Sequence, residues 1–181
     1  MKIYTGGGDD GSTGLYYGGR VAKSALGPEA YGTVDETVAA LGVARTLADS
    51  DTAVRLLDLQ RQLFVVGAEL ATAPANRHKL SDGVSLVTTS MVAVLEERID
   101  LIVEESGMPT EFIVPGGNPL AAALDNARAV ARRAERRAVA ALDGNTDSQV
   151  VPYLNRLADL LYMEARAAEP EWQTVRTEED R

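Results

Sequence analysis

Residues 118–142 read NPLAAALDNARAVARRAERRAVAAL, and this stretch decides the fold. Asn118 stands where a helix N-cap accepts a backbone N–H. Pro119 takes the first helical position, where its missing donor costs nothing. Leu120, Leu124, Ala127, Ala131, Ala134, Ala138 and Ala141 then recur at alternating spacings of four and three. That is a heptad-like seam made mostly of alanine, so neighbouring helices can approach closely. The stretch predicts one long helix reaching about Leu142.

The flanks read the same way. TEFIVPGGNP, residues 110–119, predicts a short extended connection, because its prolines and glycines forbid a continuous helix. Upstream, a helix is expected over roughly residues 84–105, ended by Gly107 and Pro109. Before it, Ser50 or Asp51 can cap a helix in which Leu57, Phe64, Ala68 and Ala71 form one apolar face. TVDE at 33–36 has the form of a capping box and predicts a first helix after Thr33, running to about Ala48. Downstream, a fifth helix is expected from about Asp147 to Ala168, with Leu154, Leu157 and Leu161 inward. The polar tail from Glu169 is expected to fray. No strand and no internal repeat is expected. The fold class is therefore all-α: a five-helix antiparallel bundle behind an N-terminal glycine-rich arm. The expected division is arm 1–25, bundle 26–170 and polar tail 171–181.

Composition narrows the function. The 181 residues carry a formal net charge of −9, which repels nucleic acid and anionic membranes. There is no cysteine, so disulfides, thiolate metal sites and cysteine nucleophiles are excluded. The single histidine, His78, falls in a polar loop and reads as exposed, which argues against a transition-metal centre or a Ser-His-Asp triad. No signal peptide or membrane span is expected, and the expected compartment is the cytoplasm.

Five of the eighteen basic residues lie between Arg128 and Arg137. Arg128, Arg132 and Glu135 follow the alanine seam by one position and form a stripe; Arg133, Arg136 and Arg137 extend the charge around the helix. This is either a solvated face of ion pairs or an anion site, since guanidiniums grip phosphate oxygens bidentately. Asn155, Arg156 and Asp159 on the fifth helix are either ordinary surface polarity or a wall facing that stripe. The arm, YTGGGDDGSTG at residues 4–14, supplies backbone N–H groups free to converge on an anion, with hydroxyls from Thr5, Ser12 and Thr13. It is neither a P-loop nor a Rossmann turn. Arm and stripe together point to a nucleoside triphosphate.

In family order, YTGGGDDGSTGL (4–15), GGRVAK (18–23), AYGTVDE (30–36), FIVPGG (112–117), ARAVARRAER (127–136) and YLNRLADLLY (153–162) resemble the motifs of the PduO-type ATP:cob(I)alamin adenosyltransferases. The resemblance runs from Lys2 to about Arg166. It implies a five-helix bundle forming homotrimers with active sites between subunits. It implies transfer of the 5′-deoxyadenosyl group of ATP to the cobalt of cob(I)alamin, with release of triphosphate. Thr5, Gly6, Gly7, Gly8, Asp9, Gly11, Thr13 and Gly14 would wrap the triphosphate, with Lys23 adding charge. Arg132, Arg133, Glu135 and Arg136 would bind ATP, Glu135 through Mg²⁺, and Asn155 would contact the nucleotide. Asp35 would pair with Arg128 across subunits, and Phe112 would press on the lower face of the corrin. A cobalamin reductase and an adenosylcobalamin-dependent mutase are the protein partners implied.

Three residues at two sites depart from the family pattern. Gly6 and Gly7 stand where the family places a basic residue after the first threonine, and Asp125 stands where a histidine is common. The glycines leave open an alternative: a weakly catalytic or non-catalytic carrier of adenosylcobalamin, or a nucleotide or cobalamin sensor, on the same bundle.

Overall fold

Asn118 caps as expected: its side chain accepts the Ala121 N–H at 2.9 Å, and the helix runs Pro119–Leu142. The computed structural model describes residues 3–4, 6–144 and 147–176, so Thr5 lies outside the described residues. Within them the α-helices are α1 (Leu26–Leu47), α2 (Ser50–Leu70), α3 (Thr89–Ser106), α4 (Pro119–Leu142) and α5 (Val150–Ala167). Helix α4 is central and packs on α1 and α5, while α2 lies against α1 and α3 against α5. Leu124, Ala127, Ala131, Ala134 and Ala138 are all fully buried, so the small seam is what lets α1 and α5 close on α4. Leu154, Leu157 and Leu161 of α5 point inward as expected. No helix among the described residues is long and apolar enough to cross a membrane.

Several expectations are corrected. Helix α1 begins at Leu26, not after Thr33. Thr33 is an interior residue whose hydroxyl donates to the Glu29 carbonyl at 2.7 Å, so it caps nothing. Pro28, the apparent breaker, is the third helical residue, where its N–H has no partner to lose. Helix α2 is capped by Asp49, whose Oδ1 accepts from Asp51 and Thr52. Its buried face is Leu56, Leu59, Leu63, Val66 and Leu70; Phe64, expected inward, is 67% exposed. Residues 84–88 precede α3, which is capped by Thr88, and α5 starts at Val150. His78 is exposed as expected, on a short 3₁₀ helix, Pro74–Lys79.

The arm contains strands the sequence did not suggest. β1 (Ser12–Gly14) and β2 (Arg20–Ala22) form an antiparallel hairpin with Thr13 opposite Val21. It docks on the bundle through the Tyr16 N–H, which donates to the Ala71 carbonyl at 3.0 Å. Up to Arg176 the segment after Glu169 is tied down rather than frayed; residues 177–181 of the expected tail lie outside the described residues. The Val114 N–H donates to Gln173, and the Val175 N–H to Phe112, so residues 112–114 pair with 173–175.

Candidate active site

The sequence stripe resolves into two groups. Arg133 and Arg137 turn toward α1, where Arg133 pairs with Glu36 and Arg137 lies 3.7 Å from Glu29. Arg128 and Arg132 instead line a cleft of about 660 Å³ between α3, α4 and α5, facing Glu96, Arg156 and Asp159. Arg136 donates to the Arg132 carbonyl at 2.9 Å, and this keeps its guanidinium on the same face as the cleft arginine. Glu135 accepts from Asn155 Nδ2 at 3.1 Å, so the α5 polar wall does meet the α4 stripe. Arg156 bonds Asn155 at 2.7 Å and Glu96 at 2.7 Å, closing a chain of polar contacts across the cleft. Tyr162, Met108 and Met163 supply apolar lining. Three guanidiniums beside apolar walls suit a ligand that joins an anionic tail to a flat organic body.

Phe112 is 87% exposed, though its own carbonyl and the Val114 N–H are fixed by the pairing with residues 173–175. A large aromatic held outward on an anchored loop is suited to contact a ligand rather than the core. The loop is anchored a second time at Gly117, whose N–H donates to Glu169 Oε1 at 3.0 Å. A Cβ there would lie 2.8 Å from that oxygen and 3.0 Å from Cδ, so any larger residue must push Glu169 off the Gly117 N–H.

Sequence reasoning passed over a buried cluster beneath this cleft. Asp125 Oδ1 accepts from Arg128 Nε at 3.1 Å, and Asp125 Oδ2 from Arg166. Arg166 is 1% exposed and also lies against Glu169, with 3.4 Å between Nε and Oε2. The only local sign was an aspartate set among the alanines of α4. Asp35, expected to pair with Arg128, is exposed on α1 and lines a different groove, with Tyr31, Val38 and Phe64. Within one chain, then, Arg128 takes Asp125 as its carboxylate.

In the arm, Gly6, Gly7, Gly8, Asp9, Gly11, Thr13 and Gly14 belong to a turn-and-hairpin unit. The Asp9 N–H donates to Gly6, the Gly11 N–H to Gly8 and the Lys23 N–H to Gly11. The Lys23 ammonium lies against Gly8. Arg20, which the sequence reading gave no role, donates to the Gly7 carbonyl and to Ser12 Oγ and lies 3.7 Å from Asp10. It brings a cation to the stretch where Gly6 and Gly7 lack one. Hydrogen bonds from Ser12 hold the Asp10 carboxyl below its ordinary range. Burial pushes the Tyr153 phenol up, and its hydroxyl donates to Gln62 at 3.0 Å.

Residues 3–168 match the family described as cobalamin adenosyltransferase. The corrinoid adenosyltransferase of Mycobacterium tuberculosis (strain H37Rv) is 41% identical over 177 residues, covering 94% of this chain and 90% of that protein. That of Bacillus subtilis is 40% identical over 175 residues, covering 92% and 86%. Among solved structures, the F112A variant of the PduO-type ATP:corrinoid adenosyltransferase from Lactobacillus reuteri, complexed with cobalamin and ATP, superposes with a TM-score of 0.86. It is 34% identical, covering 97% of this chain and all of that one. The R132K variant, complexed with ATP, gives 0.80 at 37% identity, covering 92% and 93%. With these matches spanning arm, bundle and Phe112 loop alike, the chain belongs to the cobalamin adenosyltransferase family.

Proposed function

We propose that this protein transfers the 5′-deoxyadenosyl group of ATP to the cobalt of cob(I)alamin, giving adenosylcobalamin and triphosphate. The observation that carries the reading is the cleft itself: Arg128, Arg132 and Arg156 around the Glu135–Asn155 pair, with an outward Phe112 on an anchored loop. Cob(I)alamin is already a strong nucleophile, so the protein needs no general base. What remains is to align C5′ with cobalt and to stabilise the departing triphosphate. A site rich in arginine and backbone N–H groups, without histidine or cysteine, is suited to that task. Arg132 and Arg136 hold the phosphates from α4, and the Gly6–Gly14 turns with Lys23 close over them. Phe112 covers the lower face of the corrin and displaces its axial ligand.

Glu135 fits a role in holding Mg²⁺. One of its oxygens accepts from Asn155, and the other is available to an ion. No group of three potential metal ligands occurs among the described residues. An ion there would be bound through this one carboxylate and the substrate's own phosphates. Magnesium would there neutralise phosphate charge.

The reading includes a homotrimer. The groove holding Asp35, Tyr31 and the exposed Phe64 would receive a second copy, whose Arg128 offers Asp35 a partner. It also places the enzyme in the cytoplasm, supplied by a cobalamin reductase and serving a mutase.

Anaerobic incubation of chemically reduced cob(I)alamin with saturating ATP and Mg²⁺ tests the activity by the cobalamin absorption change. Adenosylcobalamin formed at an enzyme-like rate supports it. Bound cobalamin without turnover would instead favour the carrier or sensor, the reading that Gly6 and Gly7 motivate.

A further inference from the structure

We propose that Arg166 is a positioning residue. It is the hub of a charge-neutral quartet, Asp125, Arg128, Arg166 and Glu169, that fixes the arginine wall and the Phe112 loop relative to one another. The inference deepens the adenosyltransferase reading and rests on it.

The quartet joins segments far apart in sequence. Asp125 and Arg128 are on α4, Arg166 is in the last turn of α5, and Glu169 follows that helix. Each carboxylate is divided between two duties. Asp125 gives Oδ2 to Arg166 and Oδ1 to Arg128, which lines the cleft. Glu169 Oε1 accepts both from Arg166 Nη2 at 3.5 Å and from the Gly117 N–H at 3.0 Å, at the end of the loop carrying Phe112. Its Oε2 lies 3.4 Å from Arg166 Nε as an ion pair without a hydrogen bond. Two guanidiniums and two carboxylates leave no net charge. Arg166, Asp125 and Glu169 are buried, so none can satisfy itself with water. Tyr162 fills the space between the two arginines, with its ring centre 5.8 Å from Arg128 Cζ and 5.3 Å from Arg166 Cζ. Trp172 Nε1 donates to the Arg166 carbonyl at 3.0 Å, which ties the strand that pairs with residues 112–114 to the same hub.

A buried ion pair serving stability alone is matched or bettered by apolar packing. This cluster instead spends the second oxygen of each carboxylate on an element of the cleft. Asp125 takes only Nε of Arg128, leaving the two Nη groups for a ligand or for a partner's carboxylate. The wall that receives ATP and the loop that receives the corrin thus share one rigid support.

The test uses Asp125→Asn and Glu169→Gln, which keep shape, together with Arg166→Lys in the full-length protein. Thermal midpoints are recorded alongside KM for ATP, KM for cob(I)alamin and equilibrium binding of ATP and of cobalamin. Asp125→Asn is expected to raise KM and Kd for ATP about tenfold, with the cobalamin values within twofold. Glu169→Gln is expected to do the reverse, and to weaken the absorption signature of four-coordinate cob(II)alamin in the ATP-loaded protein. Arg166→Lys is expected to shift both sets. Should it not fold, the two carboxamide variants decide. Variants that lose thermal stability while every KM and Kd stays within twofold would overturn the proposal and leave the quartet purely structural. If wild type binds both ligands without turnover, the activity reading fails, and the Kd values still judge the quartet. If wild type binds neither ligand, the proposal fails as well.

Discussion

The cleft wall on α4 and α5 and the glycine arm offer similar groups to a phosphate, on unlike supports. In the wall, Arg128 is held from beneath by buried Asp125, itself held by buried Arg166. In the arm, Arg20, Asp10 and Ser12 bond one another at the surface, on a hairpin with three residues per strand. A buried ion-pair network is costly to rearrange, whereas exposed pairs contribute little and exchange readily with water. The wall is therefore preformed, and under the proposed function the arm is the part that would adjust to a triphosphate.

Removing the wall's support has the largest expected effect. Arg166→Met leaves Glu169 as a buried carboxylate with no cation and Asp125 with Arg128 alone, and should cost about 3–5 kcal/mol. For a chain of this size that lowers Tm by about 6–20 °C in thermal denaturation. An unchanged Tm would show the wall to be no better supported than the arm. Gly117→Ala comes next. Its Cβ must displace Glu169 from the Gly117 N–H, an overpacking cost of about 1–3 kcal/mol. Calorimetry reads the loss, and a weaker corrinoid KM should accompany it.

The arm should respond chiefly with altered affinity, and with a smaller change in Tm than the wall. A charge-assisted phosphate contact at Gly6 would gain about 1.5–3 kcal/mol. But Gly6 has φ +69, and a side chain there costs about 1–2 kcal/mol. Gly6→Arg should thus tighten ATP by roughly thirtyfold at most, measured by titration. A larger gain would mean that the turn relaxes on substitution. The smallest effect is on pH. Asp10, lowered by Ser12, and Asp49, lowered by Thr52, contribute stability above the ordinary carboxylate range and lose it as pH falls through their depressed values. Both contributions should be flat from about pH 5 to 9 and vanish only in strong acid. Chemical-shift titration of the two carboxyls checks this.

The same contrast explains what the sequence revealed. Helix α4 was legible end to end, because a capping asparagine, a proline at the first position and an alanine seam all agree with its packing. Helix α1 was cut short because Thr33 and Glu36 imitate a cap, while Pro28 and two glycines hide seven helical residues before them. The face of α2 was rotated because apolar residues nearly encircle its second half, so Phe64 and Leu63 fit the helical period equally well. The hairpin escaped because its strands, Ser-Thr-Gly and Arg-Val-Ala, are only three residues long and too short to establish an alternation. The arginine cleft was legible as a charge cluster. Its buried support was not, because Asp125, Arg166 and Glu169 meet only in the folded chain.

The measurement that bears most directly on the preformed wall is anaerobic single turnover of Arg132→Ala beside wild type, at saturating ATP, Mg²⁺ and cob(I)alamin. Arg132 lines the cleft, and the proposed function gives it the leaving triphosphate to stabilise. Wild type should form adenosylcobalamin, and the variant should slow by about 10²–10³ with its fold and Tm intact. Near-wild-type turnover in that variant would contradict the account and move the chemistry off the wall.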